Sequence, residues 1–265
     1  MKQKRQTALI TGASSGIGLA TAKLLAANGY IVYGLCRRDM AVHEGITWLT
    51  CDVTNQEQVN AAVAAIIHNE GNINLVVQSA GYGIAGAVEA NTDAEITRLF
   101  DVNLMGSVRV LRAVLPHMRK QKSGKIIQLG SVAGHFGLPF QGYYSASKFA
   151  VAGLCEALRA ELHAFNIQAV VVEPGDTATA FVRTLPAEPI TEYEQATAHA
   201  IDVMSHDEQQ GDSPEKCAKL ILKLARKKRL PSRIVVGADY KLMVKAKKLL
   251  PHRFVEWILR RKYIG

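Results

Sequence analysis

The sequence predicts a single α/β domain, a parallel sheet covered by helices, on three observations. Over the first 175 residues, short β-branched runs alternate with longer amphipathic stretches, the order that lays helices over a parallel sheet. Several of these runs are apolar without alternation, as strands buried on both faces require. No repeat or low-complexity linker interrupts the 265 residues, a length that one large α/β domain accommodates.

The predicted strands are residues 8–11, 31–36, 46–51, 75–78, 125–129 and 168–173, with a last one at 233–237 closing the sheet. The first leads through TGASSGIG into a helix on which Ile17, Ala20, Leu24 and Ala27 recur at helical spacing. Gly12, Gly16 and Gly18 permit a tight turn and a close approach of backbone to a ligand. The helix N-terminus that follows presents free N–H groups and a positive dipole end to a pyrophosphate. Glycine triplets recur by chance, but a strand, turn and helix in this order make Thr11, Gly12, Ser14, Ser15, Gly16, Ile17 and Gly18 a specific phosphate-binding candidate.

An acidic residue ending the second strand would hydrogen-bond a ribose 2′-hydroxyl and favour NAD. This chain has Cys36 there, followed by Arg37 and Arg38, whose guanidinium forks suit a phosphate. The expected cofactor is NADP(H). After the third strand, Asp52 and Val53 stand where an adenine edge would lie, and Asp52 has the alternative task of capping the next turn with Thr54.

Thr92 and Glu95 form a capping box ahead of a long helix ending near Lys120, with Asn103 in mid-helix. An asparagine there costs helix propensity and signals a polar task. The strand at 168–173 runs into Pro174-Gly175, and residues 176–212 then hold Pro186, Pro189 and an acidic, polar stretch. So long an insertion is read as a substrate lid rather than a surface excursion packed on the domain. Ser213-Pro214 supplies an N-cap and a first-turn proline for another helix. Residues 238–265 form a basic helical extension.

Residues four apart share a helix face, so in GYYSASKFAVAGL it is Tyr144, not Tyr143, that faces Lys148. A phenol titrates near about 10 and is a poor acid–base group at neutral pH. An ammonium beside it stabilises the phenolate and lowers that value. Tyr144 is then a proton donor to a carbonyl oxygen that receives hydride at carbon, and Lys148 also holds the nicotinamide ribose. The pair alone is a weak signal. Ser131, at the end of KIIQLGS, and Asn103 strengthen it, the serine as a hydroxyl that polarises the substrate oxygen.

These residues resemble the short-chain dehydrogenase/reductase family from about Thr7 to Gly175, and more loosely through residues 233–237. Thr11-Gly12-x-x-x-Gly16-x-Gly18 is similar to its cofactor loop, Asp52 to its adenine-pocket acid, and Asn103, Ser131, Tyr144 and Lys148 to its catalytic tetrad. Pro174-Gly175 with Thr177 and Thr179 resembles the segment that contacts the nicotinamide carboxamide. The resemblance implies a doubly wound Rossmann fold with seven parallel strands, a tyrosine-based proton relay in which Asn103 helps hold a water near Lys148, and a homodimer through the long helices near Asn103 and Tyr144. One departure is plain: where the family has Asn-Asn-Ala-Gly, this chain has Gln78-Ser79-Ala80-Gly81, and the bracing amide becomes the shorter hydroxyl of Ser79. The stretch around Tyr144 and the basic extension look like the hydroxysteroid/retinol dehydrogenase-like branch, which implies a lipophilic ketone or secondary alcohol. A ketoacyl reductase and a non-catalytic NADP-sensing protein are the alternatives. Phe136, Leu138 and Phe140 are pocket or packing residues, and His135 a pocket-edge or surface residue.

Charge is unevenly placed. Residues 216–265 hold 16 Lys/Arg against 2 Asp/Glu, a net of +14, whereas residues 1–215 carry −5. The tail is either a surface-lying helix touching anionic membrane or a helix docked on its own domain with lysines outward. No nucleic-acid partner is expected. His199, Asp202 and His206 fall at helical spacing but read as an exposed face, not a metal site. Four scattered cysteines fit reduced thiols in a cytosol, the basic start MKQKRQ precedes too short an apolar run for a signal peptide, and no segment approaches the roughly 20 apolar residues of a membrane span. A soluble, cytoplasmic protein is expected.

Overall fold

The structure is a computed structural model in which residues 5–265 are described; part of the basic start lies outside them. In chain order the strands are β1 (Thr7–Thr11), β2 (Ile31–Cys36), β3 (Ile46–Thr50), β4 (Leu75–Gln78), β5 (Gly83–Ile84), β6 (Gly124–Leu129), β7 (Ile167–Glu173), β8 (Arg183–Thr184) and β9 (Arg233–Val235). The helices are α1 (Gly16–Ala27), α2 (Gln56–Glu70), α3 (Asp93–Phe100), α4 (Gly106–Gln121), α5 (Gly142–Glu161), α6 (Thr191–Gln209), α7 (Pro214–Arg226), α8 (Ala238–Lys247) and α9 (His252–Tyr263). All seven predicted strands are present, with ends shifted by up to two residues.

Seven strands form one parallel sheet in the order β3-β2-β1-β4-β6-β7-β9. The winding reverses between β1 and β4, which opens a crevice beyond their carboxyl ends, where ligands of doubly wound sheets bind. Successive residues of one strand feed opposite cores. Leu9, Val76, Ile126 and Val171 pack toward α2, α4 and α5, while Ala8, Ile10, Val77, Ile127 and Val172 pack toward α1 and α7. Both faces are covered, which explains the missing polar alternation. Each fully buried aliphatic side chain contributes about 1.5–3 kcal/mol.

The capping box at Thr92 is formed: Thr92 N donates to Glu95 Oε2 (2.8 Å) and Glu95 N to Thr92 Oγ1 (3.3 Å), an arrangement that contributes about 1 kcal/mol. The long helix expected behind it is interrupted by one π-turn, Asp101–Met105, which separates α3 from α4 and contains Asn103. Such turns are over-represented at functional sites. Pro214 opens α7 as predicted, but the Ser213 side chain makes no capping bond.

The insertion is more ordered than a loop. Thr177 bridges to Asp212, β8 pairs with β5, and α6 fills most of the remainder. Ala200 and Met204 of α6 pack with Tyr263 of α9, and Lys262 Nζ lies 2.7 Å from Asp207 Oδ2. Val244 of α8 and Val255 of α9 pack on Val132 and Phe136. The basic extension therefore docks on its own domain.

Candidate active site

A cleft of about 1000 Å³ runs along the carboxyl ends of the sheet, from the glycine turn to α9. At its first end the backbone is interlocked. Gly12 has φ +62°, and a Cβ there would come within 2.8 Å of Ala80 Cα. A Cβ on Gly18 would strike the Gly12 carbonyl oxygen, so α1 packs on the turn only without a side chain at that point. Thr11 Oγ1 accepts from the N–H groups of Ser79 (3.1 Å) and Ala80 (3.2 Å). Backbone donors thus tie the end of β4 to β1, and the bracing here does not depend on an amide side chain at position 79.

Ser15, the N-cap of α1, makes no side-chain capping bond, which leaves the first-turn amides free for an anion. Cys36 is buried and donates to the Arg38 carbonyl (3.2 Å), turning the chain so that Arg37 and Arg38 stand exposed on the cleft. Arg38 Nη2 donates to Ser14 Oγ (3.2 Å). Asp52 lines the cleft and caps the next turn, its Oδ1 accepting from Thr54 N (2.9 Å) and Thr54 Oγ1 (2.8 Å). Burial alone would raise its carboxyl, but the Thr54 bonds, with Arg37 and Arg98, hold it below the ordinary value. Free amides, an acid and paired guanidinium groups on one wall fit an adenine dinucleotide.

Ser131, Tyr144 and Lys148 meet further along. Lys148 is buried, donates to the Leu129 carbonyl at the end of β6 (3.2 Å), and its Nζ lies 5.6 Å from the Tyr144 ring centroid. Burial lowers its pKa to about 8. Tyr144 meets Phe181 edge-on at 5.5 Å. Its phenol is not lowered, as the lysine led one to expect, but raised to about 12. Burial dominates, and the Ser131 hydroxyl offsets it only in part. Tyr143 instead donates to the Val88 carbonyl (3.1 Å), outside the cleft.

Asn103 is 1% exposed and does not face the cleft. Its Oδ1 accepts from Tyr82 N (3.0 Å), and its Nδ2 donates to the Tyr82 carbonyl (2.9 Å) and to Ser147 Oγ (3.1 Å). Both amide protons are engaged with protein, which makes the residue a clamp between the segment after β4 and the turn of α5 that carries Lys148. Thr11 and Gly18 likewise act from behind the wall. All the other predicted site residues line the cleft: Gly12, Ser14, Ser15, Gly16, Ile17, Arg37, Arg38, Asp52, Val53, Ser79, Ala80, Gly81, Ser131, Tyr144, Lys148, Pro174, Gly175, Thr177 and Thr179.

His135 requires a correction. It does not line the cleft; its Nε2 lies 3.0 Å from Glu173 Oε2, within a cluster that Arg233 completes. A carboxylate buried at a strand end needs charged or hydrogen-bonding partners, which the Arg233 guanidinium and the His135 ring nitrogen supply. Phe136 and Leu138 line the cleft, whereas Phe140 packs with α6 and α9. Sequence reasoning missed Gln141, Phe181, Glu208, Tyr240, Met243 and Ile258, all on the cleft wall. Tyr240 lies against Gly175 and donates to Asp176. Nothing local marks these residues, since only tertiary packing brings them to the site.

Comparison with known proteins gives concordant findings. A family model described as short chain dehydrogenase matches residues 6–189. The 3-ketodihydrosphingosine reductase of Bacteroides thetaiotaomicron is 39% identical over 263 residues, 97% of this chain and 98% of that protein. Human 17-beta-hydroxysteroid dehydrogenase type 1 is 34% identical over 246 residues, 84% of this chain and 74% of that protein. A solved short-chain dehydrogenase from Streptomyces avermitilis superposes with a TM-score of 0.86 at 29% identity, covering 96% of each chain.

Proposed function

This chain belongs to the short-chain dehydrogenase family, an oxidoreductase acting between carbonyl and alcohol, and we propose that it is an NADP(H)-dependent reductase of a lipophilic ketone. The observation that carries the reading is one cleft with Ser131, Tyr144 and Lys148 on its wall and the glycine turn with Arg37 and Arg38 at its end. The α1 amides would hold the pyrophosphate, Arg37 and Arg38 a ribose phosphate, Asp52 the adenine edge, and Lys148 the nicotinamide ribose. Bound there, the reduced nicotinamide supplies hydride to the carbonyl carbon.

The protein's own groups manage the proton. With its pKa raised to about 12, Tyr144 is a neutral phenol at pH 7, the protonation state a donor needs in the reductive direction. Its hydroxyl gives up the proton as charge grows on the substrate oxygen, and the Ser131 hydroxyl hydrogen-bonds the same atom. Lys148, an ammonium below about pH 8, stabilises the phenolate left behind. Asn103, through Ser147, fixes the helix turn on which that lysine stands.

A lipophilic substrate is supported by the far wall, where Phe136, Leu138, Phe181, Met243, Ile258 and Leu259 face the cleft. It is supported also by relatives named for 3-ketodihydrosphingosine and for a 17-beta-hydroxysteroid. The test is NADPH oxidation with a long-chain 3-ketone, a 17-ketosteroid and a short water-soluble ketone. Turnover with a lipid ketone at higher kcat/KM than the short one is expected. Tight NADPH binding without turnover of any ketone would replace this reading with a non-catalytic NADP sensor.

A further inference from the structure

The pair α8 and α9 turns an apolar, basic face to solvent. Leu242 is 69% exposed, Leu249 86%, Phe254 45% and Trp257 46%, and the Phe254 and Trp257 rings stack with centroids 5.7 Å apart. Single exposed hydrophobics need no explanation, but several large ones on consecutive helices and the turn joining them mark an interaction surface. The same helices already bury Val244, Val255 and Tyr263 against the domain. Their outward residues are therefore surplus to docking.

Charge indicates what covers this face. Lys241, Lys245, Lys248, Arg253, Arg260 and Arg261 are all exposed, against only Asp239 and Glu256 among residues 238–265. A second copy presenting the same surface about a two-fold axis would set these cations against one another. An anionic lipid surface would attract them, at a gain that grows with each basic residue. Basic groups interleaved with Trp, Phe and Leu are the composition of a helix lying in a membrane interface. Among the described residues no helix is long and apolar enough to cross a membrane, so the contact is one of lying on the surface.

The patch also continues into the cleft. Met243 and Ile258 are each 40% exposed and line the cavity, as do Val182 (61%) and Leu185 (57%) from the insertion. We propose that α8 and α9 seat the mouth of the cleft on an anionic bilayer, so that a substrate dissolved in lipid enters without crossing water. The entry route rests on the lipophilic-ketone reading above; the docking does not.

The full chain is tested for co-sedimentation with phosphatidylcholine vesicles, pure or containing about one-third phosphatidylglycerol, the anionic component that should drive binding. Trp48 and Trp257 are the two tryptophans, so Trp48→Phe leaves Trp257 as the reporter. Binding to the anionic vesicles only, with a blue shift of Trp257 emission and quenching by brominated lipid, is expected. The triple variant Lys241→Glu, Lys245→Glu, Lys248→Glu should weaken partitioning by roughly a hundredfold, and Leu249→Ser with Trp257→Ser should abolish the apolar anchoring. Both variants should keep wild-type turnover of a soluble ketone, which shows that they fold. Equal, unshifted behaviour with both vesicle types overturns the proposal. So does a Leu249→Ser, Trp257→Ser variant that loses self-association yet binds vesicles as before. Vesicle binding by a protein that reduces no lipid ketone would uphold the docking and overturn the proposed activity.

Discussion

Replacing Arg37 and Arg38 together by alanine removes the cationic groups standing where the second strand delivers the chain to the cleft. The magnitude follows from their setting. A hydrogen bond to a charged partner contributes about 1.5–3 kcal/mol, and about 1.4 kcal/mol is tenfold in an equilibrium constant. Both side chains are exposed, so each belongs at the lower end of that range. Arg38 also gives up its bond to Ser14, which costs little in water. The double variant should therefore lose roughly a hundredfold in kcat/KM for NADPH. NADH has no 2′-phosphate for these groups to hold, and its kcat/KM should stay within about twofold of wild type. Initial rates with each cofactor at a fixed ketone concentration provide the assay. An equal loss with both cofactors, or a wild-type enzyme that uses them equally well, would refute the assignment of Arg37 and Arg38.

Three further outcomes are expected. If the Lys148 ammonium supports Tyr144, kcat/KM for reduction should be level below about pH 8 and fall above it; in Lys148→Arg, whose charge persists, that break should vanish from the pH profile. Glu173 is 1% exposed and paired with Arg233 and His135; burial would raise its carboxyl, but those partners hold it below the ordinary glutamate value of about 4.5. Its pairing therefore stabilises the fold above about pH 4.5 and is lost as pH falls through the lower folded value. Glu173→Gln should cost about 3 kcal/mol at neutral pH, the gap closing in acid, as urea melts at several pH values would read. Gly18→Ala drives a methyl into the Gly12 carbonyl and should cost about 1–3 kcal/mol with weakened NADPH binding, measured by melting and by fluorescence titration.

What could be read from the sequence was whatever sits in one strand, turn or helix. The turn from Thr11 to Gly18 and the four-residue step from Tyr144 to Lys148 are local, and their geometry follows from backbone periodicity alone. The π-turn holding Asn103 was not legible, because five residues are too few to establish a hydrophobic period of their own. The substitution at Ser79 looked consequential until Thr11, next to it in the sheet, was seen to accept the two backbone donors. His135, Glu173 and Arg233 come from three separate segments, so only the folded sheet brings them together. Tyr144 shows the limit of pairwise reasoning: the lysine four residues away was expected to lower its pKa, but burial raises it and the Ser131 hydroxyl is the main group acting the other way. The far wall of the cleft comes from the insertion and from α8 and α9, whose basic composition concealed side chains that complete a pocket.

The central claim is that Tyr144 donates the proton during reduction. The most direct measurement is single-turnover reduction of a saturating ketone by NADPH-loaded protein, wild type against Tyr144→Phe, with NADPH affinity determined in parallel. The account predicts a rate lower by roughly 10²–10⁴-fold, the usual contribution of a positioned acid, with NADPH affinity nearly unchanged because the ring is retained. A variant that reduces the ketone at the wild-type rate would contradict it.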